Sequence, residues 1–80
     1  MHQPAPLSPA AQNLKTGIYQ HFKGGKYKVL GVGRLSEDRE TEMVIYQSLD
    51  NNQTWLRPLE MFMEEIERGD YKGPRFRFIE

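Results

Sequence analysis

Residues 17–27 read Gly-Ile-Tyr-Gln-His-Phe-Lys-Gly-Gly-Lys-Tyr, and this stretch decides the fold class. The run 18–22 is rich in residues that favour strands, and a second such run begins at Tyr27. Gly24 and Gly25 stand between the two runs. Because glycine adopts positive φ without steric cost, a Gly-Gly pair in this position is typical of a tight hairpin turn. The stretch therefore predicts two antiparallel strands.

Downstream of the hairpin, the second strand continues over residues 26–34. Alternation divides its side chains between two faces, with Tyr27, Val29 and Gly31 on one and Lys28, Leu30 and Val32 on the other. Two glycines inside this strand predict a bulge or a sharp bend. The next stretch, 36–42, is predicted as a charged loop, and the clearest strand follows at 43–49.

The C-terminal half contains two further predicted strands and one ambiguous segment between them. Residues 54–57 form a short strand that stops at Pro58, and residues 75–79 form the last strand. Between them, apolar residues recur at helical spacing, at Leu59, Phe62, Met63 and Ile66. The alternative is a single helical turn at 59–62, followed by a strand near 64–67 that turns at Gly69. The pattern alone leaves both interpretations open.

Short strands at regular spacing, with tight turns and at most one helix, predict an all-β fold. We expect a small barrel or roll of about five strands with one short helical turn, formed by a single domain over residues 15–80. Residues 1–14 contain three prolines and little to bury, which predicts a flexible Pro/Ala-rich leader. Within that leader, Ser8 and Pro9 are suited to begin one helical turn.

Composition excludes several classes of function. An 80-residue chain has room for one small domain. Eleven basic residues balance eleven acidic ones, which argues against a generically basic nucleic-acid binder. The chain has no cysteine and no apolar run near membrane-spanning length. The sequence therefore predicts a cytoplasmic protein without a membrane segment, a thiolate metal site or a cofactor.

Residues 17–27, together with three later segments, resemble a bacterial family of small proteins, the domain-of-unknown-function family number one-six-five-three. The later matches are 44–49 (Val-Ile-Tyr-Gln-Ser-Leu), 55–62 (Trp-Leu-Arg-Pro-Leu-Glu-Met-Phe) and 75–76 (Arg-Phe). The resemblance implies an SH3-like β-barrel, with a hairpin after the Met-Phe pair. This chain has Leu35-Ser36-Glu37 where many relatives carry His-Ser-Glu, so a function resting on that histidine is in doubt here. No activity comes with the resemblance.

Three residues carry the chemistry that is most distinctive in the sequence. His21 is a general base if a carboxylate such as Glu37 or Glu60 orients it, and otherwise a strand histidine bonded to backbone. Trp55 and Arg57 share a face by alternation, and a guanidinium beside an indole is a common recognition pair. The simpler interpretation buries Trp55 in the core and pairs Arg57 with Glu60.

Charge is also distributed unevenly. Residues 15–34 contain five basic residues and no acidic one, interleaved with aromatic residues. This pattern is typical of surfaces that follow a phosphate backbone and stack bases, but it also describes a solvated hairpin.

The sequence predicts a non-enzymatic binding module whose partner is single-stranded nucleic acid or a protein or peptide. The predicted binding residues are His21, Lys23, Lys26, Tyr27, Tyr46, Trp55 and Arg57. The alternative is a small-molecule or enzymatic site built from His21, Arg57 and Glu60. A third possibility is an oligomerisation domain that uses Met43, Met61 and Met63, and the sequence leaves the oligomeric state open.

Overall fold

The computed structural model describes residues 6–80, and within them the chain forms seven strands and two short helices. In chain order the elements are α1 (Pro9–Asn13), β1 (Gly17–His21), β2 (Lys26–Leu35), β3 (Asp38–Ser48), β4 (Thr54–Pro58), α2 (Leu59–Phe62), β5 (Glu65–Arg68), β6 (Tyr71–Pro74) and β7 (Phe76–Phe78).

Five of the strands form one antiparallel sheet in the order β4-β3-β2-β1-β7, and β5 pairs with β6 in a separate hairpin. The all-β prediction is confirmed. The structure has two strands more than the expected five: β5 lies in the segment that the pattern left ambiguous, and β6 contains Gly73 and Pro74 and so lacks the signature of a strand. The more specific SH3-like assignment stays a prediction.

The predicted hairpin at Gly24-Gly25 joins β1 to β2. Gly24 has a φ of 108°, a conformation that side chains rarely adopt. The His21 N–H donates to the Gly25 carbonyl and the Gly24 N–H donates to the His21 carbonyl, both at 2.7 Å. On its other side β1 pairs with β7, so the hairpin brings the last strand of the chain beside the first.

The hairpin between β2 and β3 is longer than the sequence predicted. Pairing extends to Leu35 opposite Asp38, so the predicted charged loop at 36–42 is wrong for most of its length. The end of this hairpin is exposed, so its strands lack the alternating apolar residues by which a strand is recognised in a sequence. The predicted bulge lies between Val29 and Gly31. It shifts the alternation by one residue, so Val32 packs against the core rather than sharing a face with Lys28.

The ambiguous segment forms one helical turn followed by a strand. Helix α2 ends at Phe62, and β5 carries the buried Ile66. Gly69, with a φ of 56°, makes the turn into β6. The Arg75 N–H donates to the Glu64 carbonyl at 2.9 Å, and this bond ties the start of β5 to the residue before β7. The continuous helix over 59–66 is therefore excluded.

Strand pairing defines two faces of the main sheet, because residues directly opposite one another share a face. The inner face carries the core side chains. The outer face carries polar side chains such as Lys28 and Gln47 beside apolar ones such as Ile18, Ile45 and Leu56. The hydrophobic core consists of Ala11, Tyr19, Val29, Val44, Tyr46, Leu59, Phe62 and Phe76. Helix α2 supplies Leu59 and Phe62, so it covers the inner face.

Helix α1 lies within the segment predicted as a flexible leader. Ser8 caps it, with its hydroxyl accepting from the Ala11 N–H at 3.2 Å, and Pro9 is its first residue, as the sequence suggested. Ala11 is buried, and Leu7 and Leu14 pack against the core. The Ser8 hydroxyl and N–H both donate to the Glu42 carboxylate, at 2.6 and 2.7 Å, and these two bonds lower the pKa of Glu42. Residues 1–5 of the predicted leader lie outside the described residues.

Candidate ligand-binding pocket

One end of the inner face is not filled by core side chains and forms a cavity of about 200 Å³, here called the aromatic pocket. Its lining residues are His21, Tyr27, Tyr46, Trp55, Arg57 and Phe76. Five of these six belong to the binding set predicted from the sequence. Cavities that hold drug-sized ligands are usually larger than about 300 Å³, so this pocket has room for one small planar group.

Register explains why residues so far apart in the chain line one cavity. Tyr46 lies opposite Trp55 across β3 and β4, and Val44 lies opposite Arg57. Because Val44 and Tyr46 are core residues, Trp55 and Arg57 point to the inner face. At the opposite edge of the sheet, His21 on β1 lies opposite Phe76 on β7, and both point to the inner face.

Trp55 is not in the core, and that prediction is wrong. Its exposed fraction is 49 %, because β4 is an edge strand and no other strand among residues 6–80 lies beside it on the open side. The core is completed instead by Phe62 and Phe76, whose rings stack at 4.3 Å. Trp55 therefore forms a rim of the aromatic pocket with much of its ring in solvent.

Arg57 is held in the pocket by two aromatic contacts. Its Nε–H donates to the Tyr46 hydroxyl at 3.2 Å, and its guanidinium lies 5.7 Å from the centre of the Phe76 ring. The expected pairing of Arg57 with Glu60 is not formed, because Glu60 is exposed on α2 and does not line the pocket. None of the lining residues carries a carboxylate, so the charge of Arg57 has no counter-ion within the pocket.

His21 faces the same cavity as a neutral ring. Its Nδ1 accepts a hydrogen bond from the Lys23 N–H at 3.1 Å, which leaves the proton on Nε2. The ring packs edge-on against Phe76 at 4.9 Å. Burial lowers the pKa of His21, and the charges of Arg57, Arg75 and Lys23 lower it further. The residues that shift the pKa are all cations, so the carboxylate that a general base needs is not what perturbs His21.

The lowered pKa of His21 gives a pH dependence with a definite sign. The unfolded chain takes up a proton on His21 near pH 6.5, whereas the folded chain takes it up only at lower pH. The free energy of unfolding is therefore expected to fall as the pH drops below about 6.5, and this contribution is constant above that pH. Urea titrations between pH 7.5 and 5, compared with a His21→Gln variant, measure it. An equal pH slope in the two proteins over this range would contradict the assignment.

Lys23, Lys26 and Glu60 lie apart from the pocket. Lys23 sits in the hairpin turn with its ammonium 5.8 Å from the centre of the Phe22 ring. Lys26 is opposite Gln20 and points to the outer face, because its neighbour Tyr27 points inward. The structure thus separates the basic residues of the β1–β2 hairpin from the aromatic pocket. Glu60 also lies away from His21 and Arg57, so the three residues that the enzymatic alternative needs are not brought together.

Phe76 was not predicted as a pocket residue. Its ring contacts four other lining residues: His21, Tyr27, Tyr46 and Arg57. Its strand, β7, was predicted, but the pairing of His21 with Phe76 joins residues from opposite ends of the domain. A second, larger cavity of about 520 Å³, here called the apolar groove, also was not foreseen. It lies between the α1 region and β7, and Leu14, Met63, Pro74 and Phe78 are among its lining residues.

Residues 6–80 contain neither a metal-binding cluster nor a membrane-spanning helix. No three histidine or acidic side chains there are grouped so that they could hold a metal ion. None of the helices there is long and apolar enough to cross a membrane.

Comparison with known proteins identifies the family. Residues 17–78 match the family DUF1653, whose description is "Protein of unknown function". The chain therefore belongs to the DUF1653 family. The fold is similar to the crystal structure of a DUF1653 protein from Bordetella bronchiseptica, with a TM-score of 0.79 and 29 % identity, over 86 % of this chain and 91 % of that one. No curated protein matches the chain.

Proposed function

We propose that the protein is a non-enzymatic binding module, and that its aromatic pocket holds one planar group bearing a negative charge. The observation that carries the proposal is the position of the Arg57 guanidinium among aromatic rings without a carboxylate. This guanidinium is held by the Tyr46 hydroxyl and the Phe76 ring, and no carboxylate lines the pocket with it. A guanidinium fixed in this way is suited to a carboxylate, because its remaining N–H donors match the two oxygens.

The walls of the pocket favour a flat ligand. Trp55 is half-exposed at the rim, and Tyr27 and Tyr46 meet edge-on at 5.4 Å inside it. Aromatic walls bind flat apolar groups by stacking and edge contacts. The neutral His21 contributes an N–H donor at Nε2 to the same lining without adding a second charge.

A protein or peptide is the better-supported partner class. Nucleic-acid binding draws its affinity from several lysines and arginines that follow successive phosphates. Here Arg57 is the cation among the lining residues, and Lys26 points to the opposite face of the sheet. A single charge among aromatic rings fits one carboxylate better than a phosphate chain. A cytoplasmic location remains part of this proposal, as the sequence predicted.

Benzoate and benzamide test the pocket directly, because the two probes have nearly the same shape and differ in charge. We expect benzoate to shift the backbone amide resonances of residues that line the pocket, in a saturable way. Small fragments gain roughly 0.3 kcal/mol or somewhat more per heavy atom, so the Kd is expected on the order of millimolar. Benzamide should bind at least about tenfold more weakly, since it lacks the charge that meets Arg57. Equal shifts from both probes, or no saturable shift from benzoate, would refute the proposal.

A further inference from the structure

The open edge of the main sheet adjoins the aromatic pocket. β4 is at one end of the sheet order, and among the strands of residues 6–80 it pairs only with β3. The Ser48 N–H donates to the Gln53 carbonyl at 2.8 Å, which fixes the phase of the ladder between these strands. Pairs related to it by two residues are hydrogen-bonded, and the pairs in between are not. The pair Ile45–Leu56 is of the second kind, so the N–H and C=O of Leu56 point away from β3.

This outward-facing backbone is left unprotected. Edge strands are normally blunted by charges, prolines or a covering segment. In β4 the outward positions are Thr54, Leu56 and Pro58, and only Pro58 lacks a donor. The Thr54 carbonyl accepts from the Gln53 side chain, but within residues 6–80 no hydrogen bond reaches Leu56 on that side. The Leu56 side chain is 62 % exposed, and its neighbour Trp55 is 49 % exposed.

The side chains of β4 on the inner face connect this edge to the pocket. Arg57 and Trp55 both line the pocket, and both lie on the strand that a new partner would join. In an antiparallel pair, side chains opposite one another have their Cβ atoms about 5 Å apart. A residue placed opposite Arg57 therefore starts close to the Arg57 side chain, and a glutamate there is long enough to extend toward the guanidinium along the inner face.

On this basis, and resting on the proposed function, we infer that the partner is an extended peptide segment that adds to the sheet beside β4 and places a carboxylate side chain against Arg57. Backbone hydrogen bonds to Leu56 hold the segment, and the side chains that alternate toward the inner face give the selectivity. The residue opposite Trp55 packs on the exposed part of the indole. The segment is acidic because the pocket offers Arg57 without a carboxylate of its own.

A second copy of this chain fits the edge less well. Two β4 strands would bring no carboxylate to either Arg57, since residues 54–58 contain none. They would also add a second guanidinium to the same region. The charge of the pocket therefore favours a different, acidic segment.

The probe is the blocked peptide Ac-Thr-Glu-Val-Phe-Thr-NH₂. In antiparallel pairing its Glu lies opposite Arg57, its Val opposite Leu56 and its Phe opposite Trp55. We expect a Kd on the order of 1 mM or tighter, measured by amide shift titration. At saturation the exchange of the Leu56 amide proton should slow by about tenfold, because that proton becomes hydrogen-bonded. Replacing the peptide's Glu by Gln should weaken binding by about tenfold.

Two changes test the backbone pairing separately from the side chains. Methylating the peptide nitrogen of Val removes the donor to the Leu56 carbonyl, and we expect at least about tenfold weaker binding. In the protein, Leu56→Pro removes the outward N–H without touching the β3 ladder, and Leu56→Ala keeps that N–H as the matched control. Leu56→Pro should lose the peptide and retain benzoate, whereas Leu56→Ala should retain both.

The outcomes separate this inference from the proposed function. Benzoate binding without peptide binding overturns the inference alone, and loss of both overturns the two together. Peptide binding that is unaffected by N-methylation, with unchanged exchange at Leu56, also overturns it. Protection of the Leu56 amide that grows with protein concentration, without any peptide, would assign the edge to a second copy instead.

Discussion

Replacing Phe62 by alanine is expected to remove most of the stability of the domain. Phe62 is 1 % exposed, stacks on Phe76 at 4.3 Å and meets Tyr19 and Tyr46 at 5.4 Å each. Truncating a fully buried phenylalanine costs about 3–5 kcal/mol. The total free energy of unfolding of a chain of this length is roughly 4–12 kcal/mol. Urea denaturation followed by circular dichroism measures the loss as a lower midpoint.

Met63→Ala is the matched control for that variant. Met63 is the next residue, but its side chain is 48 % exposed and it is not in the core cluster. We expect its replacement to change the free energy of unfolding by about 0.5 kcal/mol. Similar losses from Phe62→Ala and Met63→Ala would contradict the account of α2 as the element that covers the inner face.

Arg57→Gln is expected to abolish measurable benzoate binding while leaving the fold in place. A hydrogen bond to a charged group contributes about 1.5–3 kcal/mol, which corresponds to a loss of about ten- to a hundredfold in affinity. Glutamine retains a donor for the Tyr46 hydroxyl, so the aromatic wall is expected to keep its arrangement. Amide shift titration measures the affinity, and the spectrum without ligand reports the fold.

Arg77→Gln is the control for the loss of one positive charge. Arg77 is exposed and lies opposite Gln20, to whose side-chain oxygen it donates at 3.3 Å on the outer face. Its replacement should leave benzoate binding unchanged. If both variants weaken binding equally, the attraction comes from net charge and not from Arg57 in the pocket.

Local signals in the sequence predicted the first hairpin, and one of the two interpretations left open for residues 59–69 contained the turn from β5 into β6. Gly24 and Gly69 are needed where φ is positive, so these turns are encoded by single residues. The bulge was also predicted, from the glycines of β2. Its consequence for Val32 was not, because a bulge reverses the alternation beyond it and the sequence does not show at which residue.

Most residues that line the pocket were predicted, but the exposure of Trp55 and the face of Lys26 were not. Alternation placed Trp55 and Arg57 on one face correctly, but burial depends on which strand lies at the edge, and that is a property of the whole sheet. Lys26 was predicted as a binding residue because residues 15–34 interleave basic with aromatic side chains, but Lys26 and Tyr27 are neighbours in a strand and point to opposite faces. Phe76 joins the pocket only through the pairing of β7 with β1, which links residues far apart in the sequence.

We propose the aromatic pocket, and not the larger apolar groove, as the ligand site. Nuclear Overhauser effects from the ring protons of bound benzoate test it most directly. If benzoate occupies the aromatic pocket, its ring protons are expected to contact the side chains of Trp55, Tyr27 and Phe76, around the guanidinium of Arg57. Contacts to Leu14, Met63 and Phe78 would place benzoate in the apolar groove and contradict the claim.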